Sequence, residues 1–350
     1  MKTKILLLTG AILLLSASCN SASPLPIGMA KTVNGGADWQ FANTYASSTK
    51  ISLAALGIST IALDPSNHET VYGSTYEDGL FKSTDSAATW TQILSKILVY
   101  DFAINPINNK EIYAVGIYNN HGNVLKTTDG GASWQQVYNE ASENNPVRAI
   151  ALNPTNPSQI VIGLESGNVV RSYDGVLTWK LSNNFDARVN RISWQAGSIY
   201  ILLREKGLYK TDSSADNYME LTGPVTSNTA FNGSNVNSES SYNEFYVDPV
   251  SMSLMYVTTS RGLFKSVDAG KTWNFVAIPV KADADDTRAI AVSRASSNIV
   301  YTSIDNIIYK SSDAGSTWQT QSLATAGFVN YILIDQSLPQ IVYAGVYPSQ

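Results

Sequence analysis

Arginine and tyrosine side chains recur near the starts of a series of β-type segments, where they could bind another molecule. Two of them, Arg148 and Arg288, hold equivalent positions in different repeats of the chain. A guanidinium group binds a carboxylate through two parallel hydrogen bonds, and a tyrosine offers a flat apolar ring with a polar tip. Such side chains predict a surface that recognises acidic groups or sugars. The candidate binding residues are Arg148, Arg191, Arg204, Arg261, Arg288, Tyr76, Tyr100 and Tyr118.

Two carboxylates of the same segments, Asp101 and Glu165, could instead serve as the acid and base of a glycosidase. A metal centre is not predicted, because His68 and His121 are the only histidines and the chain has one cysteine. No cofactor is predicted either. We therefore favour a non-catalytic binding surface and keep a glycoside hydrolase as the alternative. A solvated polar rim without a ligand is the third interpretation of the same residues.

A repeat of the form S-x-D-x-G-x-T-W indicates which elements position these residues. Five clear copies occupy residues 83–90, 127–134, 172–179, 266–273 and 311–318. Two degenerate copies remain: residues 32–39 have Asn34 in place of the aspartate, and residues 210–217 keep Asp212 but lack the tryptophan. Successive copies end 38 to 56 residues apart. This spacing is the length of one four-stranded propeller blade.

Each copy of the repeat, called a box below, predicts a hairpin turn followed by a strand. The aspartate can accept hydrogen bonds from backbone N–H groups further along the turn, and the glycine supplies a positive φ. The tryptophan is large enough to fill the seam between neighbouring sheets. We assign this structural role to Asp85, Asp129, Asp174, Asp212, Asp268, Asp313, Trp90, Trp134, Trp179, Trp273 and Trp318.

Alternating apolar segments surround every box. An apolar pair and a basic residue precede it, as in residues 80–82, and a hairpin of two β-branched runs lies upstream, as in residues 61–73. The beginning of the repeat region supplies only a third and a fourth strand, and the end supplies only a first and a second. The sequence therefore predicts an all-β fold, a seven-bladed β-propeller over residues 27–350, closed by N- and C-terminal strands in one blade.

Equivalent positions at the starts of the first strands should form a ring on the face opposite the boxes. Arg188 and Arg191 flank this ring, and the loops between second and third strands lie beside it. Ligands of propellers bind on this face, so the candidate binding residues are expected to converge there. The ring positions are Ser59, Tyr100, Arg148, Asn190, Asn243, Arg288 and Asn330.

The five clear boxes resemble the Asp-box, or BNR, family of β-propellers, which includes sialidases, oligoxyloglucan hydrolases, sortilin-type receptors and photosystem II assembly factors. The resemblance implies the fold but not the activity, because the box is a structural turn in enzymes and non-enzymes alike. The Arg-Ile-Pro signature of the sialidases is absent, and the oligoxyloglucan hydrolases use two propellers where one is predicted here. In plan the chain is similar to the assembly factors, which are single lipoprotein propellers with an arginine-rich patch.

The N-terminus predicts export. Lys2 and Lys4 precede an apolar stretch over residues 5–15, and small residues follow it up to Cys19. This pattern predicts a signal peptide over residues 1–18, a lipidated Cys19 and a tether over residues 19–26, and therefore attachment to the bacterial cell envelope through the lipid.

Charge and composition narrow the range of partners. The whole chain carries 23 basic and 28 acidic residues, a formal net charge of −5. Nucleic acid is therefore not an expected partner. We expect a monomer that binds an envelope or membrane protein or an extracellular glycan. Specificity could reside in a long polar loop over residues 222–243 or in an acidic turn over residues 281–286.

Overall fold

The computed structural model describes residues 25–45, 53–222, 241–280 and 286–349. Within these residues the strands form seven four-stranded antiparallel sheets, which confirms the all-β, seven-bladed propeller. One 3-10 helix, Leu53–Ala55, is also present in this part of the chain. No helix among the described residues has the length and apolar character needed to cross a membrane. Cys19, the signal peptide, most of the 222–243 loop and residues 281–285 lie outside the described residues.

The strands, numbered in chain order, are short and mostly alternate with tight turns. Their bounds are β1 Gly28–Thr32, β2 Gln40–Phe41, β3 Ile58–Asp64, β4 Asn67–Thr75, β5 Leu80–Ser83, β6 Thr91–Leu94, β7 Leu98–Ile104, β8 Ile112–Tyr118, β9 His121–Thr127, β10 Gln135–Glu143, β11 Val147–Leu152, β12 Ile160–Leu164, β13 Asn168–Ser172, β14 Lys180–Asn184, β15 Val189–Gln195, β16 Ser198–Leu203, β17 Gly207–Asp212, β18 Met219–Glu220, β19 Tyr242–Val247, β20 Met255–Thr259, β21 Gly262–Ser266, β22 Asn274–Val276, β23 Thr287–Val292, β24 Val300–Ile304, β25 Ile307–Ser311, β26 Gln319–Ser322, β27 Gly327–Ile334 and β28 Val342–Pro348.

The first strand of each blade lies innermost. Strands β3, β7, β11, β15, β19, β23 and β27 contact one another in that order, and β27 contacts β3 again, so the inner ring is closed. The closing blade has the order β27-β28-β1-β2, with Gly28 opposite Val346 and Thr32 opposite Val342. The predicted closure by both termini is confirmed. The pairing of β1 with β28 provides hydrogen-bond partners for backbone groups that would otherwise lie at exposed strand edges.

The box turns are held by their aspartates. In the box at residues 83–90, the Asp85 carboxylate accepts hydrogen bonds from Ser83 Oγ at 2.7 Å, from the Thr89 backbone N at 2.8 Å and from Thr89 Oγ1 at 2.6 Å. The Trp90 indole N–H donates to the Ala42 carbonyl of the neighbouring blade at 2.6 Å. The same aspartate bonds recur around Asp129, Asp174, Asp268 and Asp313.

The basic residue before the box links neighbouring blades. Lys310 Nζ and Tyr301 Oη both donate to the Gly35 carbonyl, in the box turn of the next blade, at 2.7 and 2.8 Å. Lys31 Nζ donates in the same way to the Ser86 carbonyl at 2.7 Å. The Lys310 ammonium also lies 5.7 Å from the centre of the Tyr301 ring. Lys310 and Tyr301 therefore join two blades through a cation–π contact and a shared acceptor.

Candidate functional site

Every inner strand carries a β-bulge at or next to its ring position. In β11, for example, the register shifts between Val147 and Ala149, which places Arg148 in the bulge. At a bulge, two residues of one strand lie opposite a single residue of the partner strand. The side chain of the extra residue therefore points in a different direction from the one it would take in a regular strand. The corresponding shifts fall at Ser59, Tyr100, Asn190, Asn243, Arg288 and Asn330.

The bulged side chains converge on a cavity of about 620 Å³ at the end of the ring opposite the box turns, called the top cavity below. Ser59 is the exception among the ring positions: its buried hydroxyl donates to the Val99 carbonyl at 2.7 Å. The residues lining the top cavity are Tyr76, Tyr100, Arg148, Arg188, Asn190, Arg191, Arg204, Asn243, Glu244, Arg288, Phe328, Asn330, Tyr347 and Ser349.

Six of the eight sequence-predicted binding residues therefore reach one cavity, and two do not. Arg261 and Tyr118 lie outside its lining, and Tyr118 is 39% exposed. Phe328 and Tyr347 also line the cavity, although neither is among the residues predicted from the sequence. Equivalent positions could have indicated both. Phe328 lies two residues before its ring position, as Arg188 does. Tyr347 comes directly after the residue that pairs with the one before the ring position, as Tyr76 and Arg204 do in their blades.

Four aromatic side chains form a continuous wall along one side of the top cavity, called the aromatic arc below. Tyr76 lies at its centre, with its ring centroid 5.6 Å from that of Tyr100 and 4.9 Å from that of Tyr347. The Tyr347 centroid is in turn 5.4 Å from that of Phe328. The guanidinium of Arg148 lies 3.9 Å from the centre of the Tyr100 ring, and that of Arg288 lies 3.8 Å from the Phe328 ring.

A second group, the arginine cluster, consists of Arg148, Arg188 and Arg204. Arg148 Nε hydrogen-bonds to the Glu165 carboxylate, and Arg188 Nη1 lies 3.8 Å from the other oxygen of Glu165. Burial lowers the pKa of Arg188, and the positive charges of Arg204 and Arg148 lower it further. Arg204 Nε lies 3.6 Å from Glu205 Oε1, so the three guanidinium groups share two carboxylates and keep one uncompensated positive charge. An anion placed between them would balance that charge.

Arg288 has a different environment at the other end of the arc. Its Nη2 lies 2.6 Å from Asp286 Oδ2, and Asn243 Nδ2 donates to Asp286 Oδ1 at 2.8 Å. The Arg288 Nε atom is buried and has no hydrogen-bond partner within the described residues. Arg288 is thus largely occupied by its acidic neighbour and by the Phe328 ring.

An ion network around Arg191 forms the floor of the top cavity. Arg191 Nε donates to Glu244 at 2.7 Å and Nη1 donates to Thr60 Oγ1 at 3.1 Å, while Nη1 lies 4.0 Å from Asp101. The guanidinium also lies 5.2 Å from the centre of the Tyr331 ring. Arg191 and Glu244 also line a smaller cavity of about 280 Å³ further along the central channel. The network therefore spans the channel between opposite blades.

Asp101 is buried in this floor. Its carboxylate accepts hydrogen bonds from the backbone N–H groups of Phe102 at 2.9 Å and Ile150 at 3.1 Å. Burial raises the pKa of Asp101 to about 6, against the lowering effect of Arg191 and of these two hydrogen bonds. A carboxyl with such a pKa could donate a proton near neutral pH.

The two candidate catalytic carboxylates, Asp101 and Glu165, lie in different parts of the site. Asp101 lies in the floor beside Arg191, whereas Glu165 lies at the rim with Arg148 and Arg188. Glu244 is the one carboxylate that lines the top cavity among the described residues, and it is bound to Arg191. No group of three or more potential metal ligands occurs in the described part of the chain.

Comparison with known proteins finds similarity in structure alone. A scan of protein-family models and a search of curated proteins give no match. Among solved structures, the chain is similar to the GH74 xyloglucanase from Xanthomonas campestris, with a TM-score of 0.66 and 15% identity over 84% of this chain and 52% of that one. The chain thus spans about half the length of the xyloglucanase.

Two further solved structures share the fold. YCF48 bound to D1 peptide has a TM-score of 0.61 and 15% identity, over 84% of this chain and 93% of that one. The extracellular domain of the putative one component system BT4673 from B. thetaiotaomicron has a TM-score of 0.63 and 16% identity, over 88% of this chain and 39% of that one. At these identities the similarity establishes the propeller fold and leaves the activity open.

Proposed function

We propose that this protein is a non-catalytic, exported propeller that binds an anionic ligand in the top cavity and acts as a scaffold for a protein or glycan partner. The observation that carries the proposal is the charge of the lining: within the described residues, five arginines and one carboxylate face the cavity. That carboxylate, Glu244, is paired with Arg191. Arg288 is paired with Asp286, whereas Arg148, Arg188 and Arg204 share the two carboxylates of Glu165 and Glu205. One positive charge is therefore left uncompensated, and it favours a ligand that brings its own negative charge.

The fold neighbours are compatible with a binding role. YCF48 has been solved with a bound D1 peptide, and it is matched over 93% of its length. It is thus a single propeller of similar extent that binds a peptide. The xyloglucanase, by contrast, is matched over only half of its length.

The position at which strand β1 begins supports a role close to a membrane. Strand β1 begins at Gly28, which pairs with Val346 at the same end of the blade as Tyr347 and the top cavity. Five residues lie between Cys19 and Leu25, where the described chain begins, so six peptide units join the two. A segment of this length spans about 20 Å at most. A lipid on Cys19 would therefore hold the top cavity near the membrane surface, facing an envelope or membrane protein or a surface glycan.

A glycoside hydrolase is the second candidate, and the raised pKa of Asp101 is the observation in its favour. Both glycosidase mechanisms need two carboxylates facing the scissile bond, about 5–5.5 Å or 6.5–9.5 Å apart. Asp101 is 7% exposed and hydrogen-bonded to backbone N–H groups, and its neighbour Glu244 is bound to Arg191. This arrangement favours a structural floor over a catalytic pair.

The test is a binding and turnover screen on arrays of neutral and acidic glycans and peptides. We expect the wild type to retain acidic members without cleaving them, and Arg148→Ala with Arg204→Ala to lose that retention. Arg261→Ala is the matched control, because Arg261 lies outside the cavity lining, and it should bind as the wild type does. Cleavage of a glycan by the wild type, abolished in Asp101→Asn, would establish the hydrolase instead.

A further inference from the structure

The two sides of the top cavity differ in chemistry. One side is the aromatic arc of Tyr100, Tyr76, Tyr347 and Phe328, and the arginine cluster lies beyond Arg148 at one end of that arc. A ligand that fills the cavity must therefore offer an apolar face to the rings and an anionic group to the guanidinium groups. The volume of the top cavity, about 620 Å³, falls within the range of small-molecule sites, about 300–1,000 Å³.

Uncommitted hydroxyl and amide groups add a third requirement. The hydroxyls of Tyr76, Tyr100 and Tyr347 make no hydrogen bond within the described residues, and neither does the side-chain amide of Asn330. A phenol and a carboxamide can each donate and accept a hydrogen bond. They match a ligand that also donates and accepts, which is the property of sugar hydroxyls.

We propose that the top cavity binds a short oligosaccharide that contains a uronic acid. The uronate carboxylate lies among Arg148, Arg188 and Arg204, one face of a pyranose ring lies against the aromatic arc, and ring hydroxyls bond to the tyrosines and Asn330. This inference rests on the proposed function and specifies its ligand. An acidic peptide end would satisfy the arginine cluster, but acidic side chains offer no flat ring face to the aromatic arc.

The test is isothermal titration calorimetry of the purified chain with three defined probes. α-1,4-Linked trigalacturonate supplies the carboxylates, α-1,4-linked galactotriose is its neutral counterpart, and triglutamate is an acidic peptide. We expect trigalacturonate to bind and the other two probes to bind at least about tenfold more weakly, a difference of about 1.4 kcal/mol. Added salt should weaken the trigalacturonate complex, because charge pairing contributes to it.

Conservative variants test the contribution of each side of the cavity to the affinity separately. Arg204→Gln removes one charge from a side chain that is 41% exposed, so the fold should be unaffected, and affinity should fall about tenfold or more. Tyr347→Phe removes one hydroxyl and should weaken binding about threefold to tenfold. Arg261→Gln and Tyr118→Phe are the matched controls outside the cavity and should leave the affinity unchanged.

Each other outcome overturns the inference in a recognisable way. Equal binding of galactotriose would exclude carboxylate recognition. Binding of triglutamate without trigalacturonate would refute the sugar ligand and leave the anionic site of the proposed function intact. Failure of all three probes would refute the uronate ligand, and the array screen would then decide the proposed function separately. Equal loss of affinity in Arg261→Gln would place the site elsewhere on the protein.

Discussion

The buried carboxyl of Asp101 should make the stability of this protein depend on pH in a measurable way. Its pKa rises from an ordinary value of 3.8 to about 6 in the folded state, chiefly because of burial. The folded state therefore binds more protons than the unfolded state between these pH values, and the free energy of unfolding falls as pH increases through this window. The difference between the two pKa values corresponds to up to about 3 kcal/mol, lost in full above pH 6.

Replacing Asp101 with asparagine removes the titrating group and nearly preserves its shape. We expect the free energy of unfolding of the wild type to fall by up to about 3 kcal/mol more than that of Asp101→Asn between pH 4 and pH 7. Other titrating groups contribute equally to both proteins, so the difference between the two isolates Asp101. The measurement is urea unfolding followed by tryptophan fluorescence, at half-unit pH steps.

Asp186 provides the control, because it is an exposed aspartate at the same face of the ring. Asp186→Asn should follow the wild-type pH dependence throughout. If the wild type and Asp101→Asn show parallel curves, Asp101 ionises in the folded state near its ordinary pKa. Arg191 and the two backbone N–H groups would then offset the burial of this carboxyl in full, and the conclusion that burial dominates the pKa of Asp101 would be wrong.

Three further predictions concern the anchor, the boxes and the seams. Cys19→Ala should abolish metabolic fatty-acid labelling and move the protein to the soluble fraction; unchanged labelling would contradict lipidation at Cys19. Trp90→Ala removes a fully buried indole and should lower the free energy of unfolding by about 3–5 kcal/mol in urea melts, whereas the exposed turn change Asp129→Ala should cost less. Lys310→Met should lower the melting temperature by removing the link to Gly35, more than Lys180→Met, which changes an exposed lysine; equal melting temperatures would show that the link contributes nothing.

Much of the architecture could be predicted because it is local and repeated. The box places an aspartate, a glycine or other positive-φ residue, and a tryptophan within eight residues, and these residues interact mainly with one another and with the adjacent blade. Spacing alone therefore predicts blades. The degenerate copy at residues 210–217 shows the limit. Asp212 accepts a hydrogen bond from Ser214, and Tyr218, just beyond the copy, contacts Ser182 and Phe185 of the preceding blade.

The candidate site could be predicted only in part. Equivalence of sequence positions placed Tyr100, Arg148 and Arg288 on one ring, and the top cavity contains all three. The same reasoning grouped Arg261 and Tyr118 with them, because loop position does not show how far a side chain reaches. Arg191 was expected at the rim, but the bulge at Asn190 directs it to the floor, where it reaches Thr60 in the opposite half of the ring.

The sequence by itself determined the repeat, the number of blades and their closure by both termini, because each depends on turn chemistry and alternation within a few residues. Tertiary structure decided which side chains face one another. The aromatic arc joins Tyr347 to Tyr76 across the closure of the ring, and the floor joins Arg191 to Asp101 and Glu244 from separate blades. Such contacts depend on bulges and on the diameter of the closed ring, and neither property is encoded in the spacing of any single segment.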